Sequence, residues 1–203
     1  AVTNVAEASA KKPQKWDKTV NVVIIGSGGA GLATAVSAAE RGVKDIVVLE
    51  KLAFLGGNTA IATGAFNTAD PKQKEQGIED SPEFHAQQTL KGGDFRGNPD
   101  LVNELTHNAY DTLKWLESKG VKFQPKILQV YGALWPRSHA TAASKGSDYV
   151  RVLSEEAKKL GVTIQTQAKV VDIIRENQLS GRVLGLEYVN KDGPVSYTHL
   201  TLP

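Results

Sequence analysis

Gly26, Gly28 and Gly31 stand in the spacing GxGxxG, and Glu50 follows the first of them by 24 positions. Residue types in that order suit the binding of a dinucleotide. Gly26 permits a tight turn, Gly28 admits a pyrophosphate close to the backbone, and Gly31 lets a helix pack closely on a strand. A helix opening here offers N–H groups and the positive end of its dipole to phosphates. Glu50 can accept hydrogen bonds from a ribose diol, and its charge would repel a 2′-phosphate.

The elements that must position these groups are readable on either side. Residues 22–25 are Val-Val-Ile-Ile, an apolar run typical of a strand buried on both faces. Residues 32–40, rich in alanine, predict the helix that follows, and 46–49 predict a second buried strand ending at Glu50. A lone GxGxxG is a weak signal, whereas strand, turn, helix, strand and acid together predict a dinucleotide-binding βαβ unit. The alternative is a glycine-rich turn in some other α/β protein.

Composition excludes several other classes. Of 203 residues, 40% are hydrophobic and 23% charged, ordinary for a globular chain. A net charge of +2 argues against a polybasic nucleic-acid binder, so no nucleic-acid partner is expected. No apolar run is long enough to span a membrane. The absence of cysteine removes disulfides and cysteine-held iron–sulfur clusters from these residues. Methionine is absent too, which fits a processed N-terminus or a fragment.

Residues 1–20 read as a flexible leader or linker of small residues followed by lysines. The start of a mature exported protein is the sharper reading, which predicts a periplasmic location, with the cytoplasm as the alternative. Residues 195–203, VSYTHLTLP, resemble the translation of a transposase sequencing adapter. On that reading the natural sequence is confined to residues 21–194, and His199 is no ligand.

Residues 55–67 are dominated by small side chains, which suits a segment running against a bound ligand; a tight loop packed on the sheet is the alternative. Residues 70–80 are polar and predict an exposed connection. Ser81-Pro82-Glu83 predicts a helix start, as does Asn98-Pro99. His85 is expected at a surface or packing position. In the second of these helices Val102, Leu105, Ala109, Leu113 and Leu116 predict the apolar face, with His107 on the polar side and Gly120 ending the element. Residues 132–139 combine Trp135, Arg137, Ser138 and His139 in a loop-like setting, for which a structural role competes with a place beside a site. Ser147 predicts the cap of a further helix with Val150, Leu153, Ala157 and Leu160 buried. Residues 162–165, 170–174 and 183–189 predict short strands, with a turn at 178–181.

Taken in order, GSGGAGLATAVSAAERG, VVLEK, GGNTAIATGAFNTA, SPEFHAQQTLKGGDFRGNPDLV and YGALWPRSH resemble the flavoprotein subunit of fumarate reductases and succinate dehydrogenases. The soluble fumarate reductases, flavocytochrome c and urocanate-reducing relatives are the nearest in pattern. The resemblance implies an α/β fold: a Rossmann-like FAD-binding domain with additional helices and a small β-meander. It implies that the domain is incomplete and that the capping domain is absent from these residues.

It also implies FAD as cofactor. Gly26, Gly28, Gly29, Ala30 and Gly31 would hold the pyrophosphate, with Glu50 and Lys51 at the adenosine ribose. Gly57, Asn58, Thr59, Thr63 and Gly64 would line the ribityl chain and isoalloxazine. Val170 would reach the adenine through its backbone. Gly64, Arg137 and His139 would lie near the substrate, none of them as the proton donor, and the catalytic residues stay unassigned. Two departures stand out: Ala65 replaces a common second glycine, and Asn58 stands where respiratory relatives carry a flavin-linked histidine. The bound FAD is therefore expected to be noncovalent.

The implied reaction delivers hydride from flavin N5 to the β-carbon of an α,β-unsaturated carboxylate and a proton to its α-carbon. Implied partners are a small dicarboxylate or related enoate, and an electron donor that is a cytochrome or another redox domain. An L-aspartate oxidase, a ketosteroid dehydrogenase, or a cofactor-binding module inactive by itself are the alternatives.

Overall fold

The computed structural model describes residues 13–177 and 180–199. The chain forms two compact units, one of residues 1–57 and 153–203, the other of residues 58–152.

The first unit contains the βαβ element. Strand β1 (Lys18–Val20) precedes β2 (Val22–Ile25), helix α1 (Gly29–Glu40) and β3 (Ile46–Leu49). β3 pairs in parallel with β2 on one side, Val22 opposite Ile46, and on the other with β6 (Thr163–Gln165). Central position explains why all four β3 residues are buried. Leu32, Ala35 and Val36 of α1 are fully buried, the spacing of one helical face.

A second sheet follows the order β1-β9-β8-β7. β7 (Lys169–Asn177), β8 (Ser180–Asn190) and β9 (Gly193–His199) form an antiparallel meander, and β1 lies parallel on β9. A cluster of Val47, Leu49, Ala168, Leu186, Tyr188 and Tyr197 packs between the sheets, with the two tyrosine rings stacked at 5.4 Å.

The α/β class and the meander match the sequence reading. Lys18–Val20 lies inside the stretch read as a leader but is a strand, because pairing with β9 satisfies its backbone. Residues 1–12 lie outside the described residues, as do Gln178 and Leu179 of the expected turn. β9 extends into the segment that resembles an adapter. Its Val195, Tyr197 and Thr198 are residues of high strand propensity, whatever DNA encoded them.

The second unit joins α2 (Gly57–Ile61), β4 (Ala65–Asn67), α3 (Pro82–Gly92), α4 (Pro99–Lys119) and β5 (Ser138–Ala140). Helix α5 (Ser147–Lys159) returns the chain to the first unit. β4 and β5 pair antiparallel, so part of the stretch expected as loop is a strand. Ser81 Oγ accepts from Phe84 N at 3.1 Å and Asn98 Oδ1 from Asp100 N at 2.9 Å, the two caps expected from sequence. Ser147 instead lies within α5 as its first residue.

One expectation fails in this unit and another holds only in part. Leu105 is 59% exposed, and Thr106 takes the buried place beside Ala109, Leu113 and Leu116. Residues 70–80 are an exposed connection only in part. They contain a 3-10 helix (Pro71–Gln76), and the side chains of Asp70, Gln73 and Asp80 are buried. These polar groups tolerate burial because each is hydrogen-bonded. No helix among the described residues is long and apolar enough to cross a membrane.

Candidate functional site: a dinucleotide cradle

In the first unit the glycine turn is built as the motif requires. Gly26 N donates to Leu49 O at 2.8 Å, fixing the end of β2 beside the end of β3. Gly26 has φ +92°, a conformation that strains any L side chain. A Cβ on Gly31 would collide with the Gly26 carbonyl, so helix and turn touch only because residue 31 lacks one. Gly28 precedes α1 and has no side chain with which to cap it. Space in front of the helix is thereby left for a phosphate rather than a cap. Gly29, Ala30 and Gly31 form the first turn of α1.

Glu50 closes the other side of this turn. Its carboxylate accepts from Ser27 N at 3.0 Å, Ser27 Oγ at 2.6 Å and Leu52 N at 2.9 Å. Burial works to raise its pKa, but these hydrogen bonds outweigh it and hold the carboxyl below the ordinary range. Glu50 is thus a fixed anion at the end of β3. Ser27 Oγ also accepts from Gly56 N at 3.1 Å, tying the next segment to the turn.

The chain leading into β7 enters the same neighbourhood through its backbone. Ala168 N donates to Glu50 O at 2.8 Å and Gln167 N to Leu52 O at 3.0 Å, just before β7 begins. Val170 is half-buried, and Lys51 is exposed. The structure therefore gathers Gly26, Gly28, Gly31, Glu50 and the β7 entrance in one place. Ser27 is the member that sequence reasoning missed. It occupies a free position of GxGxxG, and only its burial and its bridge to Glu50 reveal it.

Gly57, with φ +47°, ends the first stretch of the first unit, and the remaining predicted residues belong to the second unit. Asn58 and Thr63 are exposed, Thr59 is half-buried and Gly64 is buried. Gly64 O accepts from Thr141 N at 3.1 Å and from Tyr149 Oη at 2.9 Å.

Arg137 is 4% exposed and already has partners. Its Nε donates to Asp80 Oδ2 at 2.9 Å, and its Nη2 to Asp80 Oδ1 at 2.8 Å and Gln88 Oε1 at 2.7 Å. Gln73 Nε2 and Ser81 N complete the acceptor sites of Asp80 at 3.0 and 2.9 Å. His139 is buried with Nε2 3.9 Å from Asp70 Oδ2, and burial depresses its pKa despite that carboxylate. His85 Nδ1 and His139 Nε2 have no hydrogen-bond partner among the described residues.

A family model described as an FAD binding domain matches residues 21–199. The chain belongs to this family. FAD is therefore the dinucleotide to test against the cradle, and the residues fit it. The turn carries no side chain at Gly26, Gly28 or Gly31, and Glu50 is an ionised acceptor beside it, as a bound dinucleotide requires.

An acrylate reductase flavoprotein subunit from Shewanella woodyi is 35% identical over 174 residues, 85% of this chain and 34% of that protein. A urocanate reductase from Eggerthella lenta is 35% identical over 207 residues, 94% of this chain and 34% of that protein. This FAD binding domain thus spans about a third of the length of those curated relatives.

Solved structures agree on the fold. The open conformation of a flavocytochrome c3 fumarate reductase matches with a TM-score of 0.82 at 28% identity, covering 91% of this chain and 33% of that one. A 3-ketosteroid-Δ4-(5α)-dehydrogenase from Rhodococcus jostii RHA1 matches with a TM-score of 0.82 at 26% identity, covering 94% and 46%.

Proposed function

We propose that this FAD binding domain serves a reductase of the C=C bond of α,β-unsaturated carboxylates, with noncovalently held FAD. The carrying observation is the 35% identity to reductases named for acrylate and urocanate, over 85% and 94% of this chain. Bound FAD would supply the hydride for the β-carbon of the enoate.

This chain's own residues hold and shape the cofactor. The α1 N-terminus and the backbone of residues 26–31 would receive the pyrophosphate, and Glu50 and Lys51 the adenosine ribose. Val170 would approach the adenine, and residues 57–59, 63 and 64 would line the ribityl chain and ring. Asn58, an amide in place of a histidine, offers no nucleophile for a covalent flavin bond, which supports noncovalent binding. Glu50 is held ionised by Ser27, so it binds without a proton to lose.

Arg137 supports the site rather than the substrate in this reading. Its guanidinium is committed to Asp80 and Gln88, so a substrate carboxylate needs a cation from elsewhere in the full-length protein. His139, buried and neutral, has a packing role beside Phe123, whose ring meets it edge-on at 6.4 Å. The electron donor is proposed to be a cytochrome or other redox domain, and the location the periplasm.

The match to a 3-ketosteroid dehydrogenase favours a second reading, in which the substrate is a steroid enone. Full-length protein with reduced viologen separates the two. Turnover of acrylate, urocanate, fumarate or methacrylate is expected; turnover of a 3-ketosteroid or L-aspartate alone would replace the first reading.

A further inference from the structure

None of residues 58–63 is buried. Helix α2 is five residues long and buries no side chain. The segment is instead tied to residues 141–149. Gly146 N donates to Ala62 O at 2.8 Å, and a Cβ on Gly146 would run into the Thr59 carbonyl. Thr141 Oγ1 accepts from Lys145 N and donates to Lys145 O, both at 3.0 Å, which folds residues 141–145 back on themselves. A Cβ on Gly64 would lie 2.7 Å from the Lys145 carbonyl carbon. Of these ties only one comes from a side chain on a helix, the 2.9 Å bond from Tyr149 Oη to Gly64 O.

We propose that Tyr149 is a positioning residue for the cofactor: by holding the Gly64 carbonyl it sets where residues 58–64 present their backbone to the flavin. The proposal rests on the FAD reading above. Burial pushes the Tyr149 phenol well above its ordinary pKa, and Asp148 adds to the shift, so the hydroxyl stays a neutral donor. The Tyr149 ring also packs on Phe123 at 6.1 Å between centroids, so ring placement does not depend on the hydroxyl. Gly64 O keeps its bond from Thr141 N when the hydroxyl is removed. A phenylalanine at this position therefore releases one tie without opening a cavity.

The test uses the full-length holoprotein. Tyr149→Phe is compared with Ser81→Ala, which removes the α3 cap and touches none of residues 58–64 or 141–149. Both are expected to keep FAD. Tyr149→Phe is expected to change the ratio of affinities for oxidised and reduced flavin about tenfold, a midpoint shift of about 30 mV for the two-electron couple. Ser81→Ala is expected to leave the potential in place. Equal potentials in wild type and Tyr149→Phe would overturn the proposal and leave the FAD reading standing.

Should Tyr149→Phe fail to fold, 3-fluorotyrosine placed at position 149 alters donor strength at nearly constant size. An unchanged flavin potential and absorption spectrum there would overturn the proposal equally. Wild-type protein that binds no FAD would instead remove the FAD reading and this proposal with it.

Discussion

Replacing Arg137 by leucine distinguishes a supporting arginine from a substrate-binding one. Asp80, whose side chain is fully buried, accepts from Arg137 Nε, Arg137 Nη2, Gln73 Nε2 and Ser81 N. Arg137→Leu removes the first two donors and the guanidinium paired with that carboxylate, leaving a buried anion with only amide partners among the described residues. Breaking one side of a buried, hydrogen-bonded ion pair costs about 3–5 kcal/mol. At roughly 2–4 °C per kcal/mol for a chain of this size, the melting temperature should fall by about 6–20 °C. Urea and thermal unfolding followed by circular dichroism measure it. Adding Asp80→Leu should recover part of the loss, giving a coupling of about 2 kcal/mol, because no unpaired charge then remains. Arg137→Leu within about 0.5 kcal/mol of wild type, with a raised KM for the enoate, would refute the supporting role.

His85 makes the fold acid-sensitive. Burial, with Arg137 nearby, lowers its pKa from 6.5 to about 4, so the unfolded chain takes up its proton first. Its contribution is complete above pH 6.5 and is lost as pH falls towards 4, about 3 kcal/mol in all. His85→Gln should flatten the stability profile in that window; an unchanged profile would contradict it. Glu50 acts at lower pH, its stabilisation present above 4.5 and lost as pH falls further. Glu50→Gln should weaken FAD binding about tenfold, read by flavin fluorescence, since hydrogen bonds to a charged group are worth about 1.5–3 kcal/mol. Gly31→Ala should destabilise by about 1–3 kcal/mol through its clash with the Gly26 carbonyl, and a wild-type unfolding midpoint would show that the turn can yield.

The βαβ unit was legible because its demands are local. A buried parallel strand needs a continuous apolar run, which 46–49 supply, and the turn needs glycines at fixed offsets. Residues 22–25 are a strand too but not one buried on both faces, because β2 is the edge of its sheet and Ile25 is 52% exposed. The caps at Ser81 and Asn98 were readable for the same reason, since cap and first turn lie within a few residues. Within residues 70–80 the burial of Asp70, Gln73 and Asp80 was missed because polarity was taken for exposure. The partner that makes Asp80 burial tolerable is Arg137, 57 positions away. Leu105 failed differently: Thr106 shares its side of α4 with Ala109 and Leu113, and a threonine hydroxyl can bond back to a helix carbonyl, here Asn103 O at 3.4 Å. Tyr149 gave no signal, because the carbonyl it holds lies 85 positions earlier. Roles for Asn58, Thr59, Thr63 and Gly64 came from the family resemblance, not from their own chemistry.

The most direct measurement takes the purified full-length protein and asks which flavin it holds and how. FAD and FMN share the isoalloxazine but only FAD carries the adenosine that Glu50 and the glycine turn are proposed to receive. The expected result is stoichiometric FAD retained through gel filtration, released into the supernatant by acid precipitation, with FMN failing to replace it. Equal retention of FMN, or flavin that stays with the precipitated polypeptide, would contradict a noncovalent dinucleotide cradle.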